Sequence, residues 1–172
     1  MIWKYFETPM VKKALWMAEY YHRDEYDKND IPYIVHVLDV CYHCFNKYKH
    51  RLYVPYSYHG ENNEFIEKCV CICILHDIVE DTSITLKDLE QQQFPQDIID
   101  AIDAITRRKD EKYYDYIRRC KKCKLASIVK VCDLERNLTR CNNNKDQFEY
   151  LISRYRNALD ILTNDSSESD EE

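Results

Sequence analysis

Residues 71–85 read CICILHDIVEDTSIT, and they decide how the rest of the chain is understood. An unbroken apolar run from Cys69 to Leu75 ends in His76-Asp77, and Glu80 and Asp81 follow within four residues. A helix that only packs has no use for such an end, because a buried charge is costly unless it is paired or metal-bound. Either the segment leaves the core for solvent here, or it lines a site.

Around this stretch the pattern is helical, which makes the fold class all-α, a compact multi-helix arrangement. The 172 residues include one glycine, Gly60, and four prolines, too few for glycine-rich phosphate loops or for a β-rich fold with many tight turns. Apolar residues make up 45% and aromatics 13%, enough to bury a core. Thr8 and Pro9 open a helix carrying Val11, Ala14, Leu15 and Ala18 at helical spacing. A charged loop, residues 23–33, leads to a second helix from Pro32 to about Lys49. Residues 50–62 read as an exposed connection, and a third helix is expected from about Asn63 to Asp81, stopped by Thr82 and Ser83. Thr85 and Pro95 start two more, and residues 109–122 and 124–141 give another pair. The last helix, within residues 145–162, carries Phe148, Leu151, Ile152, Tyr155, Ala158, Leu159 and Leu162 on one stripe. One domain over residues 1–163 is expected, with residues 164–172, rich in serine and acid, as a disordered tail.

The net charge of −6 argues against a nucleic-acid partner. No apolar stretch is long enough for a membrane span, and no export signal is visible, so an intracellular, soluble protein is expected. Its nine cysteines then read as thiols. The spaced pairs Cys41/Cys44 and Cys120/Cys123 invite a zinc reading, but Cys41 shares a face with Leu38 and Phe45, and packing as small hydrophobes accounts for them better.

On a helix His76 lies beside Glu80, and Asp77 beside Glu80 and Asp81. Three carboxylates so close repel one another unless a cation sits among them. Two further residues break apolar helical runs. His36 sits between Val35 and Val37, and Asp133 follows the run at 128–132. Taken singly, His36 reads as a satisfied core histidine and Asp133 as a cap or ion pair. Together with His76-Asp77 they read as the shell of a metal.

HRDEYDKNDIPYIVH (22–36), LHDIVEDTSIT (75–85) and VKVCDLERN (129–137) resemble the three signature regions of HD-domain phosphohydrolases, in the RelA/SpoT-like branch. The resemblance spans about Ala14 to Arg140. It implies one divalent metal held by His36, His76, Asp77 and Asp133, with Glu80 and Asp81 as the catalytic pair. Manganese suits such a ligand set best, with iron or zinc as the other candidates. By the same resemblance Lys130 and Asn137 contact substrate, and AITRRKDEKYYDYIRR (104–119) brings Arg107 and Lys109 to the substrate mouth, as in small stand-alone members. Members specific for guanosine tetraphosphate carry an Arg-Lys pair before the first histidine. Here Asp27 and Lys28 stand there, so Lys28 is carried over as a substrate contact while the arginine's planar cation is missing. The implied activity is hydrolysis of a small-molecule nucleotide, of the guanosine tetraphosphate 3'-pyrophosphohydrolase type. The alternatives are a phosphatase for another small phosphate ester, a metal-retaining binding protein without turnover, and a helical interaction module without metal. A chain of this length leaves no room for an alarmone synthetase domain.

Overall fold

The computed structural model describes residues 2–27, 30–48, 59–141 and 145–164. These residues form α1 (Trp3–Phe6), α2 (Pro9–Tyr21), α3 (Tyr33–Tyr48), α4 (His59–Leu75), α5 (Ile78–Asp81), α6 (Leu86–Gln91), α7 (Gln96–Ile105), α8 (Tyr113–Lys121), α9 (Lys124–Cys141) and α10 (Lys145–Thr163). Among the described residues the one β feature is an isolated bridge between Tyr26 and Pro32, so the all-α expectation holds. The far end of the second helix beyond Tyr48, residues 50–58 of the expected connection, Lys28 and the tail from 165 lie outside the described residues.

The helix starts follow local chemistry. Thr8 Oγ1 accepts from the Val11 N–H at 3.4 Å, and Pro9 takes the first position, where its missing donor costs nothing. Thr85 and Asp88 form a reciprocal capping box at the head of α6. Two expectations need correction. Gly60 lies inside α4, which begins at His59 rather than after the connection. The expected helix through Asp81 is two helices, since α4 stops at Leu75 and α5 begins at Ile78, with His76-Asp77 in the break. The cause is a side chain. Cys73 is among the last four residues of α4, whose carbonyls lack intrahelical donors. The His76 ring meets the Cys73 carbonyl through Nδ1 at 2.8 Å and turns the chain there. Thr82 then closes α5, its hydroxyl donating to the Ile78 carbonyl at 2.5 Å and accepting from the Ile84 N–H at 3.1 Å. The stripe of α10 is likewise interrupted, because Phe148 has non-helical backbone angles.

α9 is the spine. It packs against α3, α4, α7, α8 and α10, while α4 also packs against α2, α3 and α7. Ile72, Leu75, Ile78, Ile102, Val129 and Leu134 are buried where these helices meet. Each such side chain contributes roughly 1.5–3 kcal/mol by leaving water. The cysteines behave as small core residues, for all nine are free and only Cys123 is not fully buried. α3, the end of α4 and α9 therefore converge in a rigid, apolar setting, and each brings an ionisable side chain into it.

Candidate metal centre

Among the described residues the buried polar ones are His22, His36, His76 and Asp133, and three of these four meet. Ligand atoms of His36, His76 and Asp133 all lie within 4.8 Å of one another. His36 Nε2 is 3.2 Å from Asp133 Oδ1, His76 Nε2 is 3.8 Å from the same oxygen, and the two imidazole rings stand edge-on with centroids 5.5 Å apart. Asp77 is adjacent. Its Oδ2 lies 2.8 Å from His76 Nε2 and accepts a hydrogen bond from the Tyr33 hydroxyl.

The donors and acceptors say what is missing between these groups. The Cys73 carbonyl can only accept, so His76 Nδ1 carries the hydrogen and, in the neutral ring, Nε2 is a lone pair. That lone pair has no hydrogen-bond partner and faces the carboxylates of Asp77 and Asp133. Such an arrangement is stable only with positive charge in its midst, a proton or a metal ion. Burial favours the neutral ring, but the negative charges of Asp77 and Asp133 raise the His76 pKa to about 9. A divalent cation meets the same need with two imidazoles and carboxylate oxygens, so the residues present fit a metal.

Asp133 is held from two sides along α9. Lys130 Nζ donates to Oδ2 at 2.8 Å and Asn137 Nδ2 to Oδ1 at 2.7 Å. Burial opposes ionisation of Asp133, yet Lys130 and the two histidines keep its pKa well below the usual carboxylate range. Lys130 and Asn137, expected as substrate contacts, thus position a carboxylate while also lining the cleft in front of it. Glu80 and Asp81 differ in the same way. Glu80 Oε2 accepts from the Arg107 N–H at 3.0 Å, tying α5 to the α7–α8 connection. Asp81 keeps solvent contact, but lost hydration and then the charges of Asp77 and Glu80 push its pKa up to about 7.

Two arms of a cleft share Asp77, Lys130, Asp133, Asn137 and Tyr155. The larger, about 560 Å³, runs past Tyr26, Ile31, Phe148 and Arg140. The smaller, about 130 Å³, is walled by Arg107, Tyr113 and Arg154, whose guanidinium lies 4.0 Å from the Tyr113 ring centre. Arg107 donates from Nε and Nη2 to the Glu111 carbonyl at 3.0 and 2.7 Å. Lys109 is farther out, in a shallow hollow beside Glu80 and Arg107. Asp27 closes its own loop. Its N–H donates to the Ile31 carbonyl at 2.8 Å and its Oδ1 accepts from the Ile31 N–H at 3.1 Å, while Oδ2 sits 4.0 Å from the Arg140 guanidinium. Lys28 lies outside the described residues.

No family model matches the sequence. Among solved structures, the chain is similar to one described as a metazoan ortholog of SpoT that hydrolyzes ppGpp and plays a role in starvation responses. The TM-score is 0.64 at 20% identity, covering 88% of this chain and 86% of that one. The fold is that of a SpoT ortholog. The motif resemblance between residues 22 and 137 is thereby borne out at the level of fold.

Sequence reasoning missed Tyr33, Arg140, Arg154 and Tyr155. Tyr33 precedes His36 by three positions and Arg140 follows Asn137 by three, so helical spacing placed both on the faces concerned. Arg154 and Tyr155 reach the cleft only because α10 packs on α9, which no local pattern reveals.

Proposed function

We propose that this chain is a divalent-metal-dependent phosphohydrolase acting on a nucleotide, of the guanosine tetraphosphate pyrophosphohydrolase type. The observation that carries this reading is the unpartnered His76 Nε2 set against His36, Asp77 and Asp133 where two arms of a cleft meet. The fold shared with a protein described as hydrolyzing ppGpp supports it.

His36, His76, Asp77 and Asp133 would hold the ion, best manganese, which supplies charge to polarise a phosphoryl oxygen and to acidify a water. Lys130 and Asn137 fix the Asp133 carboxylate so that it does not swing toward substrate. Asp81 lines the smaller arm beside Asp77, where its carboxylate can take a proton from a water at the site. Glu80 does its part by holding the Arg107 backbone at the rim. Arg107 and Arg154 make the small arm suited to phosphate, and Lys109 extends that cationic wall outward. The larger arm, with Tyr26, Ile31 and Tyr155, suits a base and ribose.

A second reading, a phosphatase for another nucleotide-like phosphate ester, is favoured by Asp27. An acidic side chain there, bound into its own loop and set 4.0 Å from Arg140, leaves the cleft without the planar cation that guanosine tetraphosphate hydrolases offer at this place. One experiment separates the readings. Purified protein with manganese is given guanosine tetraphosphate, nucleoside mono- and triphosphates and phosphorylated dinucleotides, beside an Asp77→Ala control. Phosphate or pyrophosphate release confined to one class, and lost in the control, names the substrate. No release from any of them, with the ion bound, overturns both readings in favour of a binding protein.

A further inference from the structure

Cys132 immediately precedes Asp133 on α9 but serves a different face. Asp133 enters the cleft, whereas the buried Cys132 faces α3. Beside it lie His43 from α3 and Glu135 from α9. Ligand atoms of His43, Cys132 and Glu135 all fall within 4.8 Å of one another. His43 Nε2 is 2.7 Å from Glu135 Oε2. The other carboxylate oxygen, Oε1, is taken by the Lys47 ammonium, which fixes the carboxylate's orientation and leaves Oε2 turned inward.

A surface ion-pair network of His43, Glu135 and Lys47 would account for the polar atoms alone. Core packing accounts for the Cys132 side chain, but not for its sulfur lying within 4.8 Å of both the imidazole nitrogen and the carboxylate. Imidazole, thiolate and carboxylate are the three ligand types zinc takes, and bonds of about 2.0–2.3 Å would put neighbouring ligand atoms roughly 3.3–3.8 Å apart. His43 Nε2 and Glu135 Oε2, now 2.7 Å apart, would part slightly to admit an ion, while the remaining separations already lie within 4.8 Å. His43 and Glu135 are each about one-third exposed, 32% and 31%, so the cluster opens to solvent on one side and an ion has a way in.

We propose that His43, Cys132 and Glu135 form a second metal site that takes a zinc-class divalent ion, with water completing its shell. On binding, Cys132 gives its thiol proton to solvent as the sulfur–metal bond forms; the proton that His43 Nε2 shares with Glu135 leaves to solvent while Nδ1 takes one up, so that the neutral ring offers its Nε2 lone pair. No electron changes hands. The sulfur separates this site chemically from the nitrogen and oxygen donors of His36, His76, Asp77 and Asp133, which suit a harder ion. An ion here clamps α3 to α9, the two helices that carry His36 and Asp133 into the cleft.

The probe is Co²⁺ alone, titrated into the full, metal-free chain and followed by absorption. A thiolate-to-cobalt charge-transfer band is expected, complete by two equivalents because the cleft takes up the other, and bleached by Zn²⁺. The cleft site has no thiolate and contributes nothing to that band, so loss of hydrolysis and loss of this site register separately. Cys132→Ser should abolish the band. Because that residue is buried and the variant can fail to fold, His43→Gln and Glu135→Gln, both on partly exposed residues, carry the decision. Each should weaken cobalt binding at least about tenfold. A wild-type chain without the band overturns the proposal. So does a band whose affinity is unchanged in both glutamine variants, since the metal would then sit on other cysteines.

Discussion

At the scale of the residue, His76 has one tautomer open to it. Its Nδ1 faces a carbonyl, so everything the residue can do for a cation is done by Nε2. His76→Asn separates the two roles, because an asparagine amide can still donate to the Cys73 carbonyl but offers nothing in place of Nε2. The variant should keep its fold and bind Mn²⁺ at least about tenfold more weakly, as read by electron paramagnetic resonance of free Mn²⁺. Unchanged affinity would remove His76 from the ligand set. Asp81 makes a second case. Its pKa of about 7 lies above the ordinary carboxylate value of 3.8. Between these pH values the folded chain holds a proton that the unfolded chain has released, so stability falls as pH rises through that window. Asp81→Asn cannot lose this proton. In the metal-free protein its Tm should gain on wild type from pH 5 to pH 8. A constant difference in Tm across that range would show that the carboxyl titrates normally.

At the scale of the element, the α7–α8 connection, residues 106–112, is gripped from α8 by one guanidinium. Arg119 donates from Nη1 to the Asp103 carbonyl at 3.0 Å, and from Nη2 to the Thr106 carbonyl at 2.8 Å and Glu111 Oε2 at 2.8 Å. Its Nε reaches Glu111 Oε1 at 2.7 Å. It thereby serves carbonyls at the open end of α7 while gripping the far side of the loop that presents Arg107. A lysine cannot reproduce this fork. Arg119→Lys is expected to cost roughly 2 kcal/mol in urea unfolding and to raise KM more than it lowers kcat. The same pair sets an acid limit. Arg119 holds the Glu111 pKa at about 2 against the ordinary 4.5, so its contribution is fully present above 4.5 and fades as pH falls toward 2. The Arg119→Lys variant should show a smaller loss of Tm across that interval, and an equal loss would mean that the pair does not report on stability.

The elements themselves were largely legible, because caps such as Thr8 and Thr85 are local chemistry. The break at His76-Asp77 was not. Apolar spacing continues across it without proline or glycine, and the interruption comes from a ring turning back onto Cys73. The site was legible where ionisable residues interrupt apolar runs, as at His36, His76 and Asp133. It was not legible where helices merely arrive, as α10 does with Arg154 and Tyr155, nor where a residue has a neighbour to hold, as Lys130 holds Asp133 and Glu80 holds Arg107.

At the scale of the molecule, the centre joins three helices distant in sequence. His36 rides on α3, His76 ends α4 and Asp133 rides on α9, and each of these helices packs against the other two. An ion at their junction binds only when all three are in place, so it stabilises the folded chain as a whole. Mn²⁺ at a hundred times its dissociation constant should add about 2.7 kcal/mol. For a chain of this size that corresponds to roughly 5–10 °C in Tm. Chelation should return the chain to the metal-free value, and His76→Asn should respond only at much higher Mn²⁺. Manganese is the right ion for this measurement because its preference for nitrogen and oxygen donors keeps it from the thiol cluster at Cys132. If saturating Mn²⁺ leaves the Tm of wild type where it was, no ion bridges α3, α4 and α9. The charge facing His76 Nε2 would then be neutralised by a proton, and the hydrolytic reading would lose its foundation.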